Sequence, residues 1–162
     1  MSVENTNEAT KLIQGWMNDR GFFDAVLSPV PIPKGFHFII GGKATNGLPF
    51  SVLQPKGLKE TVMVVANVSL SKDHFDAFNK LNAKDRDTLL WNLQKDIMFK
   101  SPTYSFNPEF QKDGTFKGIQ FTKEISYDEL TKGKLGDAVI DVTRCVLWVV
   151  LTFVREFGPS KE

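Results

Sequence analysis

The sequence contains few of the residues that carry metal-binding or redox chemistry. Its 162 residues include one cysteine, Cys145, and two histidines, His37 and His74. One cysteine cannot form an internal disulfide, and neither histidine has a metal-ligand spacing with another ligand type. Cys145 lies in an apolar run, which is typical of a buried structural thiol. We therefore expect no metal, no cofactor and a cytoplasmic location, because a reducing compartment suits a chain without disulfides.

An excess of charge of one sign is also missing. Twenty Lys and Arg residues against nineteen Asp and Glu residues give a formal net charge of +1, whereas nucleic-acid-binding and membrane-binding proteins present a clearly basic face. The most apolar stretch, residues 145–154, is about half of the roughly 20 residues that a membrane span needs. The first eight residues lack the pattern of a signal peptide. We expect neither a membrane span nor a nucleic-acid partner.

Catalytic motifs are absent as well. No serine lies in a Gly-x-Ser-x-Gly pattern. The glycine-rich residues 41–47 do not complete the Gly-x-x-x-x-Gly-Lys-Ser/Thr pattern of a phosphate-binding loop, and no helix start follows them. A hairpin loop explains these glycines more simply. His37 falls on an exposed position of a predicted strand, and we expect His74 to be solvated in the first turn of a helix. The sequence therefore predicts a protein that is not an enzyme, with no catalytic residue.

The hydrophobic pattern predicts one α+β domain over residues 1–162. Helical and strand periodicities alternate along the chain, with capping signals at Asn5, Ser71 and Asn82 and a stop at Gly21. Gly15 is a weak point inside the first helix, and close packing against a neighbouring backbone would justify it. The predicted helices cover residues 6–20, 72–81, 82–100 and 136–157, and the predicted strands 36–40, 48–54, 60–70, 103–106 and 115–125. Grouped strands with helices before and after favour an antiparallel sheet packed with helices.

The last helix carries the candidate interaction surface. At about 3.6 residues per turn, its polar side chains fall on one stripe, Asp137, Asp141, Arg144, Thr152 and Arg155. A buried strand over residues 146–151 is the rival interpretation because β-branched residues are frequent there, but the polar stripe fits period two poorly. Trp148 lies on this stripe, either as an interface residue, as a local cation–π partner, or covered by the first helix. The predicted interaction surface consists of Arg144, Leu147, Trp148, Leu151, Val154 and Arg155.

Two alternatives concern other aromatic residues. The Lys-flanked phenylalanines could form a stacking platform for single-stranded nucleic acid, although core packing fits the near-neutral charge better. These phenylalanines are Phe22, Phe23, Phe106, Phe110, Phe116 and Phe121. A pocket between the sheet and the helix pair, near Trp91 and Met98, would instead indicate a small-molecule sensor.

Several segments together resemble a known family. They are residues 54–57 (QPKG), 70–74 (LSKDH), 81–86 (LNAKDR), 89–93 (LLWNL), 128–132 (DELTK) and 146–151 (VLWVVL). In residue pattern and in order along the chain, these segments are similar to those of an uncharacterised, mainly archaeal family of small proteins. The resemblance implies a type III secretion chaperone-like fold with the order helix, three strands, helix, two strands, helix, and it implies no catalytic residues.

These observations combine into one expectation about function. Secretion chaperones dimerise and hold extended segments of partner proteins on their surfaces, so the resemblance implies a protein-binding role. The apolar part of the last helix is wider than one sheet face covers. A second element must therefore pack against it, either the first helix or another subunit. We expect a non-enzymatic, chaperone-like interaction module that forms a homodimer and binds a peptide or protein partner.

Overall fold

The computed structural model describes residues 5–24, 32–68, 70–100 and 105–160. The elements are α1 (Thr6–Asp19), β1 (Phe36–Lys43), β2 (Pro49–Pro55), β3 (Thr61–Asn67), α2 (Lys72–Lys80), α3 (Ala83–Lys100), β4 (Ser105–Phe110), β5 (Phe116–Ser126) and α4 (Lys132–Phe157). This order confirms the predicted α+β pattern. The predicted strand start at residues 103–104 lies outside the described residues.

Local signals in the sequence determine where most helices begin. The Asn5 side chain accepts a hydrogen bond from the Glu8 backbone N–H at 3.0 Å, which satisfies one of the open donors of α1. Asn82 does the same for the Asp85 N–H at 2.9 Å, and Asp85 accepts from the Asn82 side chain at 2.7 Å. Ser71 occupies the N-cap position of α2 but forms no capping hydrogen bond through its side chain. Two of the three predicted caps are therefore confirmed.

The five strands form one antiparallel sheet in the order β1-β2-β3-β5-β4. Residues 44–48 connect β1 to β2 as a tight hairpin, with Gly47 at a φ of +81° that favours glycine. Pro49 is the first residue of β2, where its missing N–H is tolerated. The alternation of β3 extends to both faces, and β3 has a neighbour on each side. Its predicted interior position is confirmed.

The chain divides into two compact units, Met1–Ala66 with Thr122–Thr143 and Asn67–Phe121 with Arg144–Glu162. In the first unit, Ala9, Ile13 and Met17 form the buried face of α1, and α1 contacts β1. Gly42 of β1 allows this contact: an added Cβ would lie 2.6 Å from Met17 Cε and 2.6 Å from the Phe22 carbonyl oxygen. The close packing that would justify Gly15 is not present, because no described neighbouring atom lies within 4 Å of its Cβ position.

The second unit has an aromatic core. The Phe78 ring lies 4.7 Å from the Phe116 ring and 5.5 Å from the Phe153 ring, measured between centroids. All three side chains are fully buried. Aromatic pairs at such separations are favourable beyond the apolar area that they bury. The amphipathic helices of this unit therefore pack on phenylalanine rather than on aliphatic side chains alone.

Helix α4 begins one turn earlier than the sequence predicted. The Thr131 hydroxyl accepts a hydrogen bond from the Lys134 N–H at 3.2 Å, so the helix starts at Lys132. It continues without interruption to Phe157, which excludes the rival strand over residues 146–151. Across the described part of the chain, no helix is both long enough and apolar enough to cross a membrane.

Candidate interaction surface

The second half of α4 has a buried side and an exposed side. Cys145, Val146, Val149, Thr152 and Phe153 are buried. Helical spacing places five of the six predicted surface residues away from that side. Trp148 lies at its border, because the side chain is half-buried and its indole Nε1 atom is buried. We call this set the α4 stripe; it comprises Arg144, Leu147, Trp148, Leu151, Val154 and Arg155.

The centre of the α4 stripe is apolar. Leu147 is 41% exposed and Leu151 is 52% exposed, and the two residues lie four positions apart on one face. Trp148 and Val154 are half-buried beside them. Large aliphatic side chains that are exposed and grouped in this way mark a surface whose burial against another protein segment or subunit is favourable.

Charged residues flank the apolar centre. Arg144 and Arg155 are exposed, about 16 Å apart along the helix axis at 1.5 Å per residue. The Arg155 guanidinium donates to the Glu156 carboxylate at 3.0 and 3.2 Å. Arg144 forms no ion pair with any side chain that the structure describes. The surface is therefore apolar in the middle and polar at its ends, as interfaces commonly are.

Thr152 was wrongly assigned to the polar stripe. Its side chain is 7% exposed, and its hydroxyl donates to the Trp148 carbonyl oxygen at 2.9 Å. A threonine in a helix can satisfy its hydroxyl on the preceding turn, so a polar side chain can face the core without loss. Thr143 does the same with the Val139 carbonyl oxygen at 2.7 Å. Polarity by itself did not distinguish these buried threonines from exposed residues.

A cleft of about 330 Å³ lies between α3 and the last turns of α4. We call it the α3–α4 cleft. Its walls are Leu81, Asp85, Thr88, Leu89, Asn92, Leu93, Asp96, Thr152, Arg155, Glu156 and Phe157. Because Arg155 also belongs to the α4 stripe, the cleft and the stripe are continuous along the helix.

His74 holds the end of α4 beside this cleft. Its Nε2 atom lies 2.7 Å from the Gly158 carbonyl oxygen, and its ring contacts the rings of Phe153 and Phe157 with centroids 6.4 Å away in both cases. The prediction that His74 is solvated was wrong, since the side chain is only 5% exposed. Gly158 has a φ of +84°, the left-handed conformation that ends helices. His74 therefore positions Phe157, one wall of the cleft.

The alternative pocket near Trp91 and Met98 stays a prediction. Trp91 is 65% exposed and Met98 is 62% exposed, and neither lines the α3–α4 cleft. The phenylalanines predicted to be core residues rather than a stacking platform are buried at Phe22, Phe116 and Phe121. Phe110 is 46% exposed, and the side chain of Phe106 lies outside the described part.

Titratable groups do not converge on a chemical centre in the described residues. Cys145 is buried, as predicted, and no group of three or more potential metal ligands occurs among the residues described. Hydrogen bonds from Thr115 lower the pKa of Asp113, and a hydrogen bond from Ser126 lowers the pKa of Asp128. Both aspartates are fully exposed and lie in turns outside the stripe and the cleft.

Several solved structures resemble the chain. An uncharacterized protein from Methanothermobacter thermautotrophicus has a TM-score of 0.78 and 19% identity, with 93% of this chain and 99% of that chain covered. The ExsC–ExsE complex has a TM-score of 0.55 and 11% identity, with 99% of this chain and 100% of that chain covered. YbjN, a putative transcription regulator from E. coli, has a TM-score of 0.50 and 11% identity, with 96% of this chain and 93% of that chain covered. These likenesses concern the fold, and they confirm the expected type III secretion chaperone-like arrangement.

Sequence comparison adds the family. No curated protein matches the chain. One family model matches residues 9–153, which is most of the chain, and it describes an uncharacterized conserved protein (DUF2299). The expected resemblance to an uncharacterised family is confirmed. The chain belongs to the DUF2299 family of uncharacterized conserved proteins.

Proposed function

We propose that this protein is a non-enzymatic interaction module that forms a homodimer through the α4 stripe and binds a segment of a partner protein. The observation that carries the proposal is the exposure of Leu147 and Leu151 side by side on α4. The fold adds support, because the ExsC–ExsE complex is, by its name, an assembly of two proteins. The single-domain organisation and the cytoplasmic location stay predictions.

The expected strength of the interaction follows from the apolar area. Full burial of a leucine side chain contributes about 1.5–3 kcal/mol. In a twofold dimer each residue of the stripe is buried twice. Because Leu151 is already about half-buried at 52% exposure, two copies together gain roughly 1.5–3 kcal/mol from its full burial. Replacing Leu151 with lysine should therefore weaken dimerisation by about 10- to 100-fold, because each tenfold change corresponds to roughly 1.4 kcal/mol.

Multi-angle light scattering over a range of micromolar concentrations tests the dimer. We expect a dimer for the unchanged protein and a monomer for Leu151→Lys. Met98→Lys is the matched control, since it also replaces an exposed apolar residue on a helix but lies on α3. A monomeric unchanged protein at high micromolar concentration would contradict the proposal, as would an equal loss of dimer in both variants.

Site-specific crosslinking tests the partner. A photoreactive amino acid in place of Leu147, introduced in the native host, should form adducts that mass spectrometry resolves into a second copy of this chain and a distinct protein. The same substitution at Met98 is the control. Equal adducts from both positions would indicate nonspecific contact, and the interaction role would then be wrong.

A further inference from the structure

The α3–α4 cleft is acidic although the chain is not. Three carboxylates, Asp85, Asp96 and Glu156, line it together with one cation, Arg155. The described lining residues therefore carry a formal charge of −2, against +1 for the whole sequence. A groove with an excess of negative charge selects ligands of complementary charge.

Two of the three carboxylates have a structural reason to be there. Asp85 forms the capping box with Asn82 at the start of α3, where the helix dipole also favours a negative charge. Glu156 accepts two hydrogen bonds from Arg155. Asp96 differs: it lies in the interior of α3, is half-buried, and forms no ion pair with a described side chain. Asp96 is therefore the cleft carboxylate to which the described side chains give no ion-pair partner.

The floor of the cleft is apolar. Leu93 is 1% exposed, and Leu89, Leu81 and Phe157 are half-buried around it. Asp85 and Asp96 lie on nearly the same face of α3, eleven residues and about 16 Å apart. That length corresponds to about five residues of an extended chain at roughly 3.3 Å each. The cleft thus offers an apolar floor with an acidic group near each end.

We propose that the α3–α4 cleft binds a short segment of a partner protein that carries an apolar side chain within a few residues of a lysine or arginine. This inference rests on the proposed function, because it names the site and the chemistry of the bound segment. The apolar side chain packs between Leu89 and Phe157. The cation pairs with Asp96, where partial burial makes a charge-assisted hydrogen bond stronger than one at an open surface.

Peptide titrations followed by amide chemical shifts test the proposal. The probe is a capped eight-residue peptide with two leucines and two lysines, and the comparison peptides have glutamate or glutamine in place of lysine. We expect the lysine peptide to shift the amides of the cleft residues. Asp96→Lys should weaken its binding at least tenfold and favour the glutamate peptide. Asp87→Lys, an equal charge change at an exposed α3 residue outside the cleft, should change the affinity less than twofold.

Other outcomes overturn the proposal. Equal effects of Asp96→Lys and Asp87→Lys would indicate long-range charge rather than contact, and equal binding of all three peptides would remove the role of Asp96. Shifts of the cleft amides on dilution of the protein alone would assign the cleft to a second copy. Shifts caused by indole but not by the peptide would make it a small-molecule pocket. If no peptide binds while light scattering shows a dimer that Leu151→Lys disrupts, the cleft inference fails and the proposed function stands.

Discussion

Replacing Gly15 with alanine should stabilise the protein, because this glycine weakens α1 without serving a contact. Gly15 lies in the helix interior and is exposed. A Cβ atom at this position would meet nothing within 4 Å. Alanine is about 0.8–1.0 kcal/mol more favourable than glycine in a helix interior, since the glycine loses more backbone freedom on folding.

The same substitution at Gly42 should have the opposite effect. The added Cβ would lie 2.5 Å from Phe50 Cζ and 2.6 Å from both Met17 Cε and the Phe22 carbonyl oxygen. The two side chains could shift, but the carbonyl oxygen of Phe22 is held by a 2.8 Å hydrogen bond from the Lys43 N–H. Overpacking of this kind costs roughly 1–3 kcal/mol.

Urea unfolding followed by circular dichroism measures both effects. We expect the unfolding free energy to rise by about 1 kcal/mol for Gly15→Ala, with an unchanged denaturant slope, and Tm to rise by roughly 2–4 °C for a chain of this size. Gly42→Ala should lower the free energy. A loss of stability in Gly15→Ala, or no effect in Gly42→Ala, would refute the argument, because an added methyl group meets open space at Gly15 and packed atoms at Gly42.

Three further predictions concern single residues. Thr152→Lys should lower the unfolding free energy by several kcal/mol, because it buries a charge. At a protein concentration low enough for the unchanged protein to be monomeric, Leu151→Lys at the neighbouring exposed position should unfold at a similar urea concentration, and equal losses would contradict the assigned faces. His74→Ala should lower stability by about 2–4 kcal/mol through a cavity and a lost hydrogen bond, and thermal unfolding measures it. Asp113→Ala should destabilise the protein at pH 7 and less so in acid. The lowered pKa of Asp113 means that its contribution is present above the ordinary value and is lost as the pH falls through the folded value, so a stability difference that does not shrink as the pH falls below the ordinary value would contradict this assignment.

The candidate surface was predictable because all its residues lie on one helix. Leu147 and Leu151 share a face wherever α4 packs, since helical spacing alone places them together. Helical spacing does not determine whether a face points to the core or to the surface, and the misplaced Thr152 is an example. A threonine hydroxyl bonded to the previous turn carries no signal in the residue order that separates it from a solvated one.

The α3–α4 cleft was not predictable in the same way. Asp85, Leu89 and Asp96 share a face of α3 by spacing, so half of the cleft is implicit in the sequence. The other half comes from residues about sixty positions later, and only tertiary packing determines which turn of α4 meets α3. His74 shows the same limit, because its partner, the Gly158 carbonyl oxygen, is 84 positions away.

Residue order by itself determined the elements of this protein. Periodicity, the caps at Asn5 and Asn82, and the turn glycines act over a few residues. Such short-range signals can be read from neighbouring residues without knowledge of the tertiary structure. The tertiary structure decided which glycine is needed, which threonine is buried and where the cleft opens. Each of these depends on atoms that only folding brings within a few ångströms, so the sequence predicted the helices and strands, and packing determined the surfaces.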